Sequence, residues 1–285
     1  MTLYYRPETL RKAITVLNQQ DQDNTPLYYP PRSKNLMDWN GDGLVDLSLL
    51  KLDTIQIRKN EVRLGSMVTF EQLAQSQEIQ NKWDGVLSYA AKISATMALR
   101  NVATLGGSLL NPTSQAEVLL VLLALDTEVI LITSAGKEER ISISDFLEKG
   151  LSALPKGMLI REFRIPFNYR SHLAFERVGR TPMDYSIVSV VVKGELTRKR
   201  AHNLRIAVFG ANPLPTLYKE SAKQLPDDKI TISGIEQCIS KVSSETKPVG
   251  DYKGSAEYRT AMAEVLTQRC LLKLHNKATK PEIEE

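Results

Sequence analysis

The sequence predicts an α+β chain with two lobes, and three observations indicate it. The run from Glu117 to Asp126 is the most apolar in the chain and is typical of a helix buried on most of its surface. Short alternating strand patterns lie on both sides of that helix. A break near 167–172 then separates them from a second group of strands and helices. We therefore expect lobes at 1–168 and 169–275, followed by a polar tail at 276–285.

The N-terminal part begins with a short helix and continues into an extended loop. Thr9 or Pro7 starts the predicted helix over LRKAITVLNQQ. Pro30 and Pro31 exclude regular structure from PLYYPPRSKNLM. The segments LVDLSLL and TIQIRKNEVRLGS then alternate as strands, the second turning at Lys59-Asn60.

The remaining elements follow from the same patterns. Helices are predicted over FEQLAQSQEIQ and WDGVLSYAAKIS, and a hairpin turning at Ala135-Gly136 leads into another helix. MLIREFRIPF is a strand closed by Pro166. In the second lobe β-branched runs predict strands, and helices are expected over 217–245 and 254–274.

Composition excludes several classes of function. The 37 basic and 33 acidic residues give a net charge of +4 without a basic stripe, which argues against nucleic-acid binding. No apolar run approaches about 18 residues and the start lacks an apolar signal segment, so we expect a cytoplasmic protein without membrane insertion. Two distant cysteines and three scattered histidines predict no metal or iron–sulfur site on this chain, and no catalytic residue is assigned.

The stretch RNVATLGGSLLNPTSQAEVLLVLLALD joins flexible backbone to a buried scaffold. Gly106 and Gly107 lack a Cβ, which would let the backbone turn through positive φ and approach a ligand with its N–H groups. Thr104 and Ser108 add hydroxyls, and Glu117 suits the first turn of the helix that follows. The alternative is a tight turn before a core helix.

A second local pattern resembles the start of a calcium loop. From Asp38 to Asp46 oxygen side chains stand at positions one, three, five and nine around a glycine at six. The closing acid is absent, because Leu49 occupies position twelve. Asn-Gly-Asp-Gly is also a good turn sequence, so both interpretations stay open.

Five segments in order resemble the medium, FAD-binding subunit of the molybdenum hydroxylases, the family of xanthine dehydrogenase, carbon monoxide dehydrogenase and aldehyde oxidoreductases. RPETLRKAITVL looks like the opening helix of the family and RLGSMVTFEQL like its strand-to-helix turn. RNVATLGGSLLNPTSQAEVLLVLLALDTEVIL is similar to the flavin segment. GRTPMDYSIVSVVV with RIAVFGANPLPT resembles the C-terminal sheet, and DYKGSAEYRTAMAEVLTQRCL the last helix.

The resemblance implies a fold, a cofactor and partners. The fold is a flavin domain of the vanillyl-alcohol-oxidase type in two subdomains, about 1–53 and 54–168, plus a small C-terminal α+β domain with an antiparallel sheet and helices. FAD would receive electrons from [2Fe–2S] clusters and pass them to an external acceptor. Molybdopterin would belong to a large partner subunit and the clusters to a small one.

The resemblance also implies which positions contact flavin. Thr104, Gly106 and Gly107 stand where the family approaches the pyrophosphate and ribityl chain, and Ser108 replaces the usual Asn. Further flavin contacts carried over from the family fall on Glu117, on Ile160 and on Arg177.

One departure leaves the function open between two classes. Pro30 and Pro31 replace a glycine-rich loop whose N–H groups hold phosphates in the family, and Ala103 replaces a common Gly. The side chains of residues 32–34, Arg-Ser-Lys, could hold phosphate instead. The alternative to a redox-active flavoprotein subunit is a flavin-free scaffold for the molybdenum and iron–sulfur subunits. A pocket for a different nucleotide is a third, weaker option.

Overall fold

The computed structural model describes residues 3–28, 41–113, 116–181, 184–197, 200–225 and 229–279 of the 285-residue chain. The strands are β1 (Leu3–Tyr5), β2 (Asn24–Leu27), β3 (Gly43–Asp46), β4 (Ile55–Ile57), β5 (Glu61–Gly65), β6 (Glu128–Ile132), β7 (Glu138–Ser142), β8 (Leu159–Pro166), β9 (Ser171–Val178), β10 (Val188–Thr197), β11 (Arg200–Phe209) and β12 (Thr216–Leu217). The helices are α1 (Leu10–Leu17), α2 (Phe70–Gln75), α3 (Gln77–Gln80), α4 (Val86–Ile93), α5 (Met97–Arg100), α6 (Leu105–Leu110), α7 (Ala116–Ala124), α8 (Ile143–Lys149), α9 (Lys219–Ala222), α10 (Ile232–Glu245) and α11 (Ala256–Thr279).

The first subdomain contains a small parallel sheet in the order β1-β3-β2. Thr9 caps α1, since its side chain accepts a hydrogen bond from the N–H of Lys12 at 3.3 Å. Strand β2 lies at the edge of this sheet, where Pro26 is tolerated because it has no N–H to donate. Sequence patterning predicted β3 but missed β1 and β2, which are short and carry little alternation.

The second subdomain contains a five-stranded antiparallel sheet in the order β4-β5-β8-β6-β7. Both predicted hairpins are present, and Gly136 turns the second with a φ of 76°. The predicted strand ending at Pro166 is β8, the central strand. Its pairing with β6 shifts register between Ile130 and Leu131, so this part of β8 leaves the regular ladder.

The C-terminal lobe contains an antiparallel sheet in the order β12-β11-β10-β9, covered by α10 and α11. The helical segment predicted over 217–245 divides into α9 and α10, and its first residue, Leu217, belongs to β12. The helix predicted over 254–274 is confirmed and continues to Thr279. The first residues of the predicted polar tail are therefore helical.

Helix α7 connects the two lobes. All nine residues from Ala116 to Ala124 are buried, including Glu117, so the predicted core helix is confirmed. The helix packs on α4 in the first lobe and on β10 and β11 in the second. No helix among the described residues is long and apolar enough to cross a membrane.

Asp84 makes a second connection between the lobes. Its carboxylate accepts hydrogen bonds from the N–H of Leu173 at 3.0 Å and from Nδ1 of His172 at 3.1 Å, and it pairs with Lys277 near the end of α11. Although burial disfavours the carboxylate, these contacts lower the pKa of Asp84 from 3.8 to about 2. They also hold three successive residues, Trp83 to Gly85, at φ values of 48°, 59° and 73°.

We expect Asp84→Asn to destabilise the folded chain by about 2 kcal/mol at neutral pH, which is the energy that a depression of this pKa represents. Asn tolerates positive φ, so the backbone at residue 84 is unaffected. Because the folded-state pKa is lowered, the stabilisation is present above pH 4 and is lost as the pH falls through about 2. Denaturant unfolding of both proteins between pH 2 and pH 7 measures it.

Asp126→Asn is the matched control. Asp126 also has a positive φ, 61°, but its ion pair with Arg205 is more exposed, with 56% of its side chain in solvent. We expect a smaller loss there. An Asp84→Asn effect that does not change with pH would contradict the assignment of this energy to the charged carboxylate.

Candidate functional site

The Thr-Leu-Gly-Gly segment is the beginning of helix α6. Thr104 is its N-cap, and its hydroxyl accepts a hydrogen bond from the N–H of Gly107 at 3.1 Å. The N–H of Gly106 donates to the carbonyl of Ser66 at 2.7 Å. The expected turn through positive φ with N–H groups directed outward is therefore wrong, since both glycines are helical and both N–H groups have partners within the chain.

Gly106 serves close packing instead. A Cβ at this position would lie 2.5 Å from Cδ1 of the Tyr28 ring and 3.0 Å from the carbonyl oxygen of Ser66. Tyr28 follows strand β2 and is fully buried. Its ring therefore fills the space that the missing side chain of Gly106 leaves at the seam between the two subdomains.

The hydroxyl of Tyr28 binds the backbone of Ile160 in β8. It donates to the Ile160 carbonyl at 2.9 Å and accepts from the Ile160 N–H at 2.8 Å. Burial raises the pKa of Tyr28 well above its usual range, so the phenol stays protonated and keeps both bonds. Gly106 and Ile160, two of the predicted flavin contacts, thus meet through Tyr28.

The region between α6 and β8 that the Tyr28 side chain fills is called the groove below, and Ser66 and Ser108 lie near it. Ser108 is buried, and its hydroxyl donates to the Leu105 carbonyl at 2.8 Å within α6. The Ser66 hydroxyl is also fully buried but has no hydrogen-bond partner among the described residues. A buried hydroxyl without a partner is unfavourable and is often satisfied by a ligand.

Glu117 lies on the wall of a cavity of about 280 Å³ at the lobe interface. Only 3% of its surface is exposed, and the Ser186 hydroxyl donates to its carboxylate at 2.7 Å. The half-exposed ring of Tyr185 lies at the same cavity. This cavity therefore places a buried carboxylate beside an aromatic ring.

Arg177 contacts the same loop from the other side. It lies on β9 and donates to the carbonyl of Asp184, two residues before Ser186. The structure thus connects Arg177 and Glu117 through the 184–186 segment. Of the other predicted site residues, Gly106 and Ile160 contact Tyr28, and Thr104, Gly107 and Ser108 lie with Gly106 at the start of α6.

Arg259 forms the floor of the Glu117 cavity. It is 6% exposed, and its guanidinium donates to the carbonyls of Ile187 at 2.7 Å and Gly210 at 2.9 Å. It also pairs with Asp251 at 2.7 Å. Sequence interpretation missed this role, although Arg259 falls on the apolar stripe that α11 forms with Ala263, Leu266, Cys270 and Leu274.

The predicted calcium loop is only partly described. Residues 38–40 and the alternative phosphate ligands at 32–34 lie outside the described residues, as do Pro30 and Pro31. The Asp46 carboxylate binds the hydroxyl of Tyr4 at 2.6 Å, the N–H of Ser48 and the side chain of Arg6. The structure describes structural contacts for Asp46, and metal binding there stays untested.

Both cysteines are free, buried core residues. Burial is the main cause that raises the pKa of the Cys238 thiol to about 12 and that of Cys270 still further. Neither thiol is available as a thiolate ligand. The described residues contain no group of three His, Cys, Asp or Glu side chains that could hold a metal.

A split flavin-type domain joined through a buried helix to an antiparallel C-terminal lobe defines the class of medium subunits of molybdenum-dependent dehydrogenases. Residues 1–168 match the family model described as the FAD binding domain in molybdopterin dehydrogenase. Residues 169–274 match the CO dehydrogenase flavoprotein C-terminal domain. The chain belongs to the FAD-binding family of the molybdopterin dehydrogenases.

Curated relatives match over nearly the full length. The glyceraldehyde dehydrogenase medium chain of Sulfolobus acidocaldarius is 24% identical over 93% of this chain and 95% of its own length. The carbon monoxide dehydrogenase medium chain of Afipia carboxidovorans is 24% identical, with 94% of each chain covered. The xanthine dehydrogenase FAD-binding subunit of Escherichia coli O157:H7 is 22% identical, also over 94% of each.

Solved structures share the fold. A chain of reconstituted CO dehydrogenase from Oligotropha carboxidovorans superposes with a TM-score of 0.86 at 23% identity, covering 98% of this chain and 99% of that one. Quinoline 2-oxidoreductase from Pseudomonas putida 86 gives 0.84 at 24% identity over 98% and 99%. The predicted fold and family are confirmed, the chain is an oxidoreductase subunit, and the scaffold alternative is not favoured.

The described side chains and backbone groups have the chemistry to bind a flavin, but the space beside Gly106 is filled. Hydroxyls, a buried carboxylate and the backbone of Ile160 supply the donors and acceptors that a cofactor of this kind requires. The face of Gly106, however, is in contact with the Tyr28 ring rather than open. The Tyr28 ring therefore occupies the space in which a flavin would contact Gly106.

We expect Arg259→Met to lower the free energy of unfolding by about 2–4 kcal/mol, because it leaves two buried carbonyls without a partner. Arg269→Met on the exposed side of α11 is the control, with a change within about 0.5 kcal/mol. Chemical denaturation measures both. Equal effects of the two substitutions would show that Arg259 does not support the cavity.

Proposed function

We propose that this chain is the FAD-carrying subunit of a multi-subunit molybdenum hydroxylase. In this role it receives electrons from [2Fe–2S] clusters on a small partner subunit and passes them to an external acceptor. A large partner subunit holds molybdopterin and oxidises the substrate. The observation that carries this proposal is the match of two family models, in order, over residues 1–274.

The described residues support this division of roles between the chain, its cofactor and its partner subunits. When bound, FAD supplies the redox chemistry, accepting electrons and releasing them to the acceptor. The chain itself contributes binding and orientation. Its two cysteines are buried in the core of the C-terminal lobe, so the clusters belong on another subunit.

The binding residues divide between two walls. The groove around α6 and β8 supplies the proposed contacts Thr104, Gly106, Gly107, Ser108 and Ile160. The lobe interface supplies Glu117 and Arg177. The buried carboxylate of Glu117 can accept hydrogen bonds, and the guanidinium of Arg177, beside the 184–186 segment, can stabilise negative charge on the cofactor.

The domain limits and the cellular location are proposals as well. We assign the flavin-type domain to 1–168 and the C-terminal domain to 169–275, supported by the limits of the two matching family models and by an apolar core that lies wholly beyond residue 168. We also propose a cytoplasmic location, which the two free, buried cysteines fit. Both are consistent with relatives that are chains of multi-subunit enzymes.

Affinity purification of the tagged chain from its native cells tests the function. We expect two co-purifying subunits, molybdenum and iron in the complex, and one FAD released per chain on denaturation.

Glu117→Gln, which keeps the size of the side chain but removes its charge, should weaken FAD binding roughly tenfold by removing a charge-assisted contact. Flavin content after gel filtration measures the loss.

Glu128→Gln is the matched control, because Glu128 lies on β6 in an exposed pair with Arg140. It should keep full flavin content. A colourless wild-type complex that still reduces an artificial dye at the clusters would establish the scaffold alternative. A chain that is monomeric and active alone would contradict both.

A further inference from the structure

The hydroxyl of Tyr28 binds a part of strand β8 that has no neighbouring strand on the β5 side. Strand β5 pairs with β8 from Pro166 only as far as Glu162, and Ile160 lies beyond the end of β5. On that open edge the backbone N–H and C=O of Ile160 need a partner. The hydroxyl of Tyr28 binds both groups and so replaces the missing strand neighbour.

The same side chain closes the groove across its width. The Tyr28 ring touches the helical backbone at Gly106, while its hydroxyl reaches Ile160, so the phenol spans from α6 to β8. These are two of the positions at which the chain is proposed to contact flavin. A flavin beside them and the Tyr28 ring cannot share that volume.

We propose that Tyr28 is a displaceable occupant of the flavin groove, which competes with FAD for Gly106 and for the backbone of Ile160 and so sets the occupancy of the site. The proposal rests on the proposed function as a flavin carrier and adds a mechanism by which loading is controlled. FAD binds the open form, in which the phenol has left the groove. The apparent affinity then falls in proportion to the population of the open form.

The surroundings of Tyr28 support displacement rather than permanent closure. The Ser66 hydroxyl is fully buried beside the Tyr28 phenol, where it counteracts part of the rise in the Tyr28 pKa, but it makes no hydrogen bond of ordinary geometry among the described residues. Its hydrogen-bonding capacity is therefore poorly used while Tyr28 is in place. A ligand with hydroxyl or phosphate oxygens entering after Tyr28 leaves can satisfy Ser66.

Tyr28→Phe tests the competition directly. The substitution keeps the ring but removes both hydrogen bonds to Ile160, so it destabilises the closed form and leaves the open form unchanged. We expect FAD titration of the purified full-length chain, followed by flavin fluorescence, to show roughly tenfold tighter binding than in the wild type.

Tyr218→Phe is the matched control. Tyr218 is also fully buried, and its hydroxyl donates to Asn212 at 2.7 Å in the C-terminal lobe, away from the groove. Its FAD affinity should equal that of the wild type. Equal affinities for Tyr28→Phe and the wild type would overturn the proposal and leave the proposed function intact, as would equal tightening in both variants. Absence of FAD binding from all three proteins would overturn both.

A kinetic measurement on the wild type needs no variant. If Tyr28 must leave before FAD is fully bound, the observed binding rate should level off at high FAD concentration, at the rate of a unimolecular step. In Tyr28→Phe the limiting rate should be higher. An association rate and a limiting rate in Tyr28→Phe no higher than those of the wild type would overturn the proposal.

Discussion

The architecture depends on the burial of helix α7 from every side. Its nine residues have no exposed face, so the helix is stable only when both lobes are packed on it. One side packs on α4 of the flavin-type domain, and the opposite side on β10 and β11 of the C-terminal lobe. The lobes are therefore held in one arrangement, and Glu117 in the first turn of α7 is fixed at their interface.

That constraint explains how residues distant in sequence line the Glu117 cavity. Because α6 leads directly into the segment before α7, Thr104 and Gly106 are anchored close to the helix that carries Glu117. The C-terminal lobe then brings Ser186 to the Glu117 carboxylate and Arg259 to the floor of the same cavity. The site is a product of domain packing more than of any single motif.

The sequence predicted the parts of this structure that depend on local patterning. The buried helix, both hairpins, β8 and the two-lobed organisation follow from periodicity and turn residues, and the family follows from five ordered segments. The conformation at Gly106 could not be predicted locally, because a Gly-Gly pair suits a positive-φ turn as well as close helix packing. Only the contact with Tyr28 decides between them.

Other features depend on long-range contacts that leave no local signal. Nothing in PLYYPP indicates that Tyr28 is buried, since its partner Ile160 lies 132 residues away. The three positive φ values around Asp84 are likewise maintained by His172, Leu173 and Lys277. In each case a tertiary hydrogen bond overrides what the local sequence prefers.

The central claim is that the Tyr28 phenol and a flavin exclude one another at Gly106 and Ile160. A crystal or electron cryomicroscopy structure of the FAD-loaded complex tests it most directly. We expect that in this structure the Tyr28 hydroxyl has left the Ile160 backbone and that flavin atoms lie against Gly106. A bound FAD with both Tyr28 hydrogen bonds to Ile160 intact would contradict the account.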